Sequence, residues 1–176
     1  TTPQLTIDAP VVGRPVAIIN LATDEGVKLV QGQWRYSDVK VVEVDHHSVG
    51  PDLKPSGPPN PTRDIDPHAG AAGFDDAKWE ILTPAQLEMR KSTGRFCFNW
   101  YRLKVTIPEK VGNFDPTGST VVFELVIDDY AEIWVDGKLP VVLGQTGGQF
   151  VKGFNAPNRV VLGRDVKPGQ QFQLAV

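Results

Sequence analysis

The chain is short of the residues that most often carry covalent and metal chemistry. Its 176 residues include one cysteine, one methionine and three histidines. A lone Cys97 has no intrachain partner, and its place at an apolar strand start reads as a small buried hydrophobe rather than a reactive thiol. No Gly-x-Ser-x-Gly elbow is present, and Ser48 after His47 is a sequence neighbour, not a triad. The run Gly144-Gln145-Thr146-Gly147-Gly148 lacks the Lys-Ser/Thr ending of a phosphate loop and reads as an inter-strand loop. Positive charge is scarce too: 18 Lys and Arg against 21 Asp and Glu give a net charge of −3, with an isoelectric point near 5.6. A nucleic-acid partner, which calls for a basic face, is not expected. No apolar run approaches a membrane span, so no membrane partner is expected either. Repeats and low-complexity stretches are missing. So are an initiator Met and a charged-then-apolar leader ahead of Thr1-Thr2-Pro3-Gln4, as expected of a processed or trimmed chain.

What the sequence does contain is alternation. Between Arg95 and Lys138 lie three period-2 apolar runs separated by turn signals, the pattern of antiparallel strands. Tyr101, Leu103, Val105 and Ile107 share one face of the first run, with Trp100, Arg102, Lys104 and Thr106 on the other. Phe123, Leu125 and Ile127 oppose Val122, Glu124 and Val126 in the second; Ala131, Ile133 and Val135 oppose Glu132 and Trp134 in the third. Asp136-Gly137 is a tight-turn dipeptide. One apolar and one mixed face per strand predict an all-β, two-layer antiparallel β-sandwich. The length suits one domain spanning 1–176 with a full core.

In chain order, Pro10 and Pro15 limit residues 3–22 to an edge segment. Asp24-Glu25-Gly26 reads as a turn, Val27 to Tyr36 as a strand with Val30, Trp34 and Tyr36 on one side, and Val39 to Val44 as another after Ser37-Asp38. Pro, Gly, Asn and Asp dominate from Asp45 to Gly73, predicting a long surface loop at about 45–73, a common place for binding function. Phe74 and Trp79 return the chain to the body. Thr83-Pro84-Ala85-Gln86 combines a cap, a proline where no N–H is needed and a capping-box glutamine, predicting a short helix at about 84–91, with Leu82 and Leu87 as its staple. Arg159 to Leu162 and Gln170 to Val176 are the last strands, split by Lys167-Pro168-Gly169-Gln170, with Phe172, Leu174 and Val176 inward.

Asp45, His46 and His47, with Asp64, Asp66 and His68, are the first place to look for a metal. Adjacent histidines on an extended chain point to opposite sides, and no His-x-His spacing repairs that, so a transition metal is disfavoured. Asp75-Asp76 and Asp128-Asp129 resemble the paired carboxylates of a glycosidase, yet sit where Asp caps backbone. No catalytic residue is expected. The aromatic residues point elsewhere: sugars are recognised by flat aromatic faces with planar polar groups beside them. Trp34, Trp100 and Trp134 each have such neighbours, and these three with Arg102 and Asp136 are the candidate ligand-binding residues. The plainer role for each Trp is packing between sheets, and for Arg102 a cross-strand ion pair with a residue such as Glu124.

The segments Phe74-Asp75-Asp76-Ala77-Lys78-Trp79, Trp100 to Pro108 (WYRLKVTIP), Val121 to Lys138 (VVFELVIDDYAEIWVDGK) and Val166 to Val176 (VKPGQQFQLAV) resemble, in order, the galactose-binding-like jelly roll that serves as sugar-binding domain in family 2 glycoside hydrolases. The whole chain is also similar to the accessory N-terminal domain of some secreted gluconolactonase-like (senescence-marker-protein family) proteins. The resemblance implies a jelly roll acting as a non-catalytic carbohydrate-binding or accessory module of a larger secreted hydrolase, with carbohydrate or another small ligand and a catalytic domain of the same parent as partners. It implies a secreted or periplasmic location and leaves room for a structural calcium held by loop oxygens. Two alternatives stand beside it: the chain contributes residues to a lactonase or glycosidase active site, or it serves assembly alone. In the resembled glycosidases the hairpin Asn reaches the catalytic site. Asp136 stands there in this chain, exchanging an amide donor for an acceptor-only carboxylate.

Overall fold

Alternating burial along four strands fixes the architecture. In the computed structural model, which describes residues 13–89, 98–127, 131–139 and 156–176, Trp34–Val44 (β1), Thr62–Asp66 (β2), Glu80–Leu82 (β3), Phe98–Thr106 (β4), Trp134–Val135 (β6) and Gln171–Ala175 (β8) form one antiparallel six-stranded sheet in the order β2-β1-β4-β8-β6, with β3 also pairing β1. Val121–Ile127 (β5) and Ala156–Gly163 (β7) form a two-stranded sheet that packs across it. The chain is an all-β sandwich, as its alternation predicts. Cys97, Asp128-Asp129 and the glycine-rich run after Gly144 lie outside the described residues.

The core lies between the two sheets. Trp34 and Tyr36 from β1, Leu103 and Val105 from β4, Val135 from β6 and Phe172 and Leu174 from β8 meet Val160 of β7, with Phe123 and Leu125 of β5 against them. The predicted inward residues on these strands face this cluster, except Ile127 at the end of β5, which is not part of it. Two of the predicted turns are present. Asp136 and Gly137 take φ of 49° and 76° and close a two-residue hairpin between Val135 and Lys138. Gly169 takes φ of 81° two residues after Lys167, whose carbonyl accepts the Gln170 N–H at 3.1 Å.

Four local expectations are corrected. Asp24–Leu29 is an α-helix (α1), neither a turn nor the start of a strand. Thr23 caps it by accepting the Gly26 N–H at 3.1 Å, and Asp24 and Glu25 complement the N-terminal dipole. Gly26 is required there, since a Cβ would fall 1.9 Å from the Asn20 carbonyl oxygen. β1 runs unbroken through Ser37 and Asp38, which stay registered with Trp100 and Asn99. The helix predicted at 84–91 begins as a three-residue 3₁₀ turn, Pro84–Gln86; the Leu87 and Met89 amides bond three residues back, and its final residues are not described. Its capping box is real, with the Thr83 amide donating to Gln86 Oε1 at 2.8 Å. Finally, the stretch at 45–73 is not one loop: it contains β2, a strand paired antiparallel with β1 from Lys40–Asp66 to Val44–Thr62, with an ion pair between Glu43 and Arg63 across the ladder.

Three carboxylates are held in their charged form by local hydrogen bonds. Asp52 is held below the ordinary value of 3.8 by the Ser56 hydroxyl, and Asp115 likewise by that of Thr117; Asp64 is lowered by the Ile65 amide. A depressed carboxyl stabilises the fold above its unfolded pKa, and that contribution is lost as pH falls through the lower folded value. Asp115→Ala is therefore expected to lower the urea midpoint slightly at neutral pH, with the deficit closing below the ordinary 3.8. A deficit that persists unchanged in acid would rule out the charged-acceptor account.

Candidate functional site

The outer face of the large sheet is also covered. Segment 67–79 crosses it as a strap, and its Phe74 and Trp79 join Ala69, Trp100 and Ala175 in a second apolar cluster. The alternation that sends Leu103 and Val105 inward puts Trp100, Arg102 and Lys104 under or beside this strap. Arg35, Arg102, Ala175 and Trp134 stand in one cross-strand row, since β1–β4, β4–β8 and β6–β8 pair them in register.

Arg102 latches the strap. It is 1 % exposed, and its Nε donates to Asp76 Oδ2 at 2.7 Å. Nη1 donates to the carbonyls of Ala69 and Ala71, and Nη2 to that of Ala72 at 3.3 Å. Its guanidinium carbon lies 5.5 Å from the Phe74 ring centroid. The expected pair with Glu124 does not form. β5 belongs to the other sheet, where Glu124 Oε2 accepts from Arg159 Nε at 2.5 Å. Two guanidiniums face each other at the Arg35–Arg102 pair, and Asp76 bridges them, its other oxygen 3.5 Å from Arg35 Nε.

The strap divides the outer face into two clefts. On the Trp134 side a cleft of about 570 Å³ is lined by Trp100 and Trp134 with Arg63, Asp64, His68 and Glu132. Trp134 is half-buried and donates its indole N–H to Glu132 Oε2 at 3.1 Å. Gly70 lets the strap backbone lie against the indole, because a Cβ there would sit 2.5 Å from Trp134 Cδ2. His68 Nε2 and Asp64 Oδ2 are 3.1 Å apart. On the other side a smaller cleft runs from Arg35 to Lys104 and Gln173.

Neither a family model, nor a curated protein, nor a solved structure matches the chain. The chemistry of the clefts rests on their own residues.

The five candidate residues are thus dispersed. Trp100 and Trp134 share one cleft, and Arg102 lies beneath the strap with an edge in the other. Trp100 is 5 % exposed and donates its indole N–H to the Pro67 carbonyl at 2.8 Å. Trp34 lies in the inter-sheet core, its indole N–H on the Leu21 carbonyl at 3.0 Å. Asp136 is exposed, and its Oδ1 accepts the Gln173 amide at 2.7 Å, which ties the hairpin turn to β8. Asp64 and His68, which the sequence offers only as metal candidates, and Glu132, a polar neighbour of Trp134, line the Trp134 cleft. Among the described residues no three His, Cys, Asp or Glu side chains are grouped as metal ligands.

Proposed function

We propose that this domain is a non-catalytic carbohydrate-binding module of the galactose-binding-like jelly-roll type, working as an accessory to a hydrolase domain of a larger secreted or periplasmic protein. The observation that carries the reading is the Trp134 cleft. It sets an indole held by Glu132 beside planar polar side chains, the combination that takes the apolar face and the hydroxyls of a pyranose. A volume of about 570 Å³ is in the range of small-molecule sites. Asp64 and Glu132 supply acceptors for sugar hydroxyls, and Arg63 and His68 supply donors.

A screen of neutral mono- and oligosaccharides by intrinsic tryptophan fluorescence, with and without calcium, tests this. Because Trp34 and Trp100 are buried and the half-buried Trp79 does not line this cleft, Trp134 is expected to carry the signal. A saturable change is expected for at least one neutral sugar. Trp134→Ala is expected to weaken that binding at least about tenfold, the value of about 1.4 kcal/mol lost with a stacking face, with the circular dichroism unchanged. A flat response across the screen would sink the sugar reading and favour a role in assembly.

A further inference from the structure

The cleft on the Lys104 side of the strap has a volume of about 330 Å³, the lower end for small-molecule sites and room for one sugar-sized ring. Its charge is opposite in sense to that of the Trp134 cleft: Arg35, Arg102 and Lys104 line it against one carboxylate, Asp76. The two guanidiniums are already committed to Asp76 and to strap carbonyls. Lys104 is different. It is exposed, and among the described residues no ion pair or hydrogen bond engages its ammonium. Beside it stand the primary amides of Gln31 and Gln173. Gln173 Nε2 donates to the Leu174 carbonyl at 2.9 Å, which leaves its own carbonyl oxygen for another partner. The Gln31 amide has no partner among the described residues.

We propose that this cleft binds a small polyhydroxylated monocarboxylate, a sugar acid, with the carboxylate on Lys104 and the hydroxyls on the glutamine amides. Three cations against one carboxylate favour an anion over a neutral sugar. One uncommitted cation, with no free guanidinium fork beside it, suits a single carboxylate better than a phosphate. The amides donate and accept at once, as hydroxyls require. This second site is independent of the neutral-sugar reading of the Trp134 cleft.

Calorimetry on the chain at low salt, with D-glucuronate, D-glucose and inorganic phosphate as probes, tests the proposal. Glucuronate is expected to bind saturably and to shift the side-chain amide NMR signals of Gln31 and Gln173. Lys104→Gln keeps a polar side chain and removes the charge; it is expected to weaken glucuronate at least tenfold while leaving the fold intact. Added salt is expected to weaken it as well, since Lys104 is exposed. Glucose bound as tightly as glucuronate, phosphate bound more tightly, an unaltered affinity in Lys104→Gln, or no glucuronate binding at all would each overturn it.

Discussion

Arg102→Ala is expected to destabilise the domain by about 3 kcal/mol, at the lower end of what losing one partner of a buried ion pair costs. The lower end applies because the Asp76 side chain is 22 % exposed and keeps a contact with Arg35. Truncation strips donors from the carbonyls of Ala69, Ala71 and Ala72 together and opens a void beneath Phe74. The loss is expected to be uneven. Amide exchange in the strap should accelerate more than exchange at Leu103 or Leu174, whose ladders do not depend on the latch. Arg102→Lys is expected to recover only part of the stability, since an ammonium keeps the charge but cannot fork between carboxylate and carbonyls. Urea unfolding and hydrogen exchange measure both effects. An Arg102→Ala protein with native stability and native strap protection would show that the strap is held by its apolar cluster alone.

The latch also explains which parts of the fold were legible in the sequence. Strands with a core face and a differing outer face announce themselves, because solvent contrast writes period 2 into Leu103-Val105-Ile107 and Phe172-Leu174. β2 carries no such contrast: Thr62, Arg63 and Asp66 are exposed, and Asp64 and Ile65 are only half-buried. α1 is only six residues long, and its Val27 and the C-cap Val30, which reach the core, fit a strand as well as a helix. The strap reads as loop because its residues are Gly, Ala and Asp; its order comes from an arginine about thirty positions later, a long-range term that no local window contains. For the same reason the sequence points Arg102 to the wrong partner. Successive strands in this chain can lie in opposite sheets, so Glu124 is near in sequence but belongs to the other layer. Of the candidate ligand residues, the indoles at Trp100 and Trp134 converge because β4 and β6 flank β8 on one face. Trp34 has the opposite parity and goes into the core.

Leu174→Ala is expected to cost about 3–5 kcal/mol, the upper part of the range for large-to-small core changes. Leu174 is fully buried and lies on β8 between β4 and β6, registered with Leu103 on one side and Val135 on the other. The size of the cost depends on how far the site can collapse. Here both neighbouring backbones are held by their ladders, so little of the cavity can close. For a domain of this length the change should lower the melting temperature by roughly 10 °C. Val126→Ala is the matching control: Val126 lies on β5 but is 55 % exposed, and its truncation is expected to move stability by no more than about 0.5 kcal/mol. Thermal and urea unfolding of the two variants side by side measure the contrast. Equal losses would mean that β8 is not the packing centre of the sandwich and that its buried parity is wrong; a large loss at Leu174 alone would place the most heavily buried part of the core directly beneath the sheet face that carries both clefts.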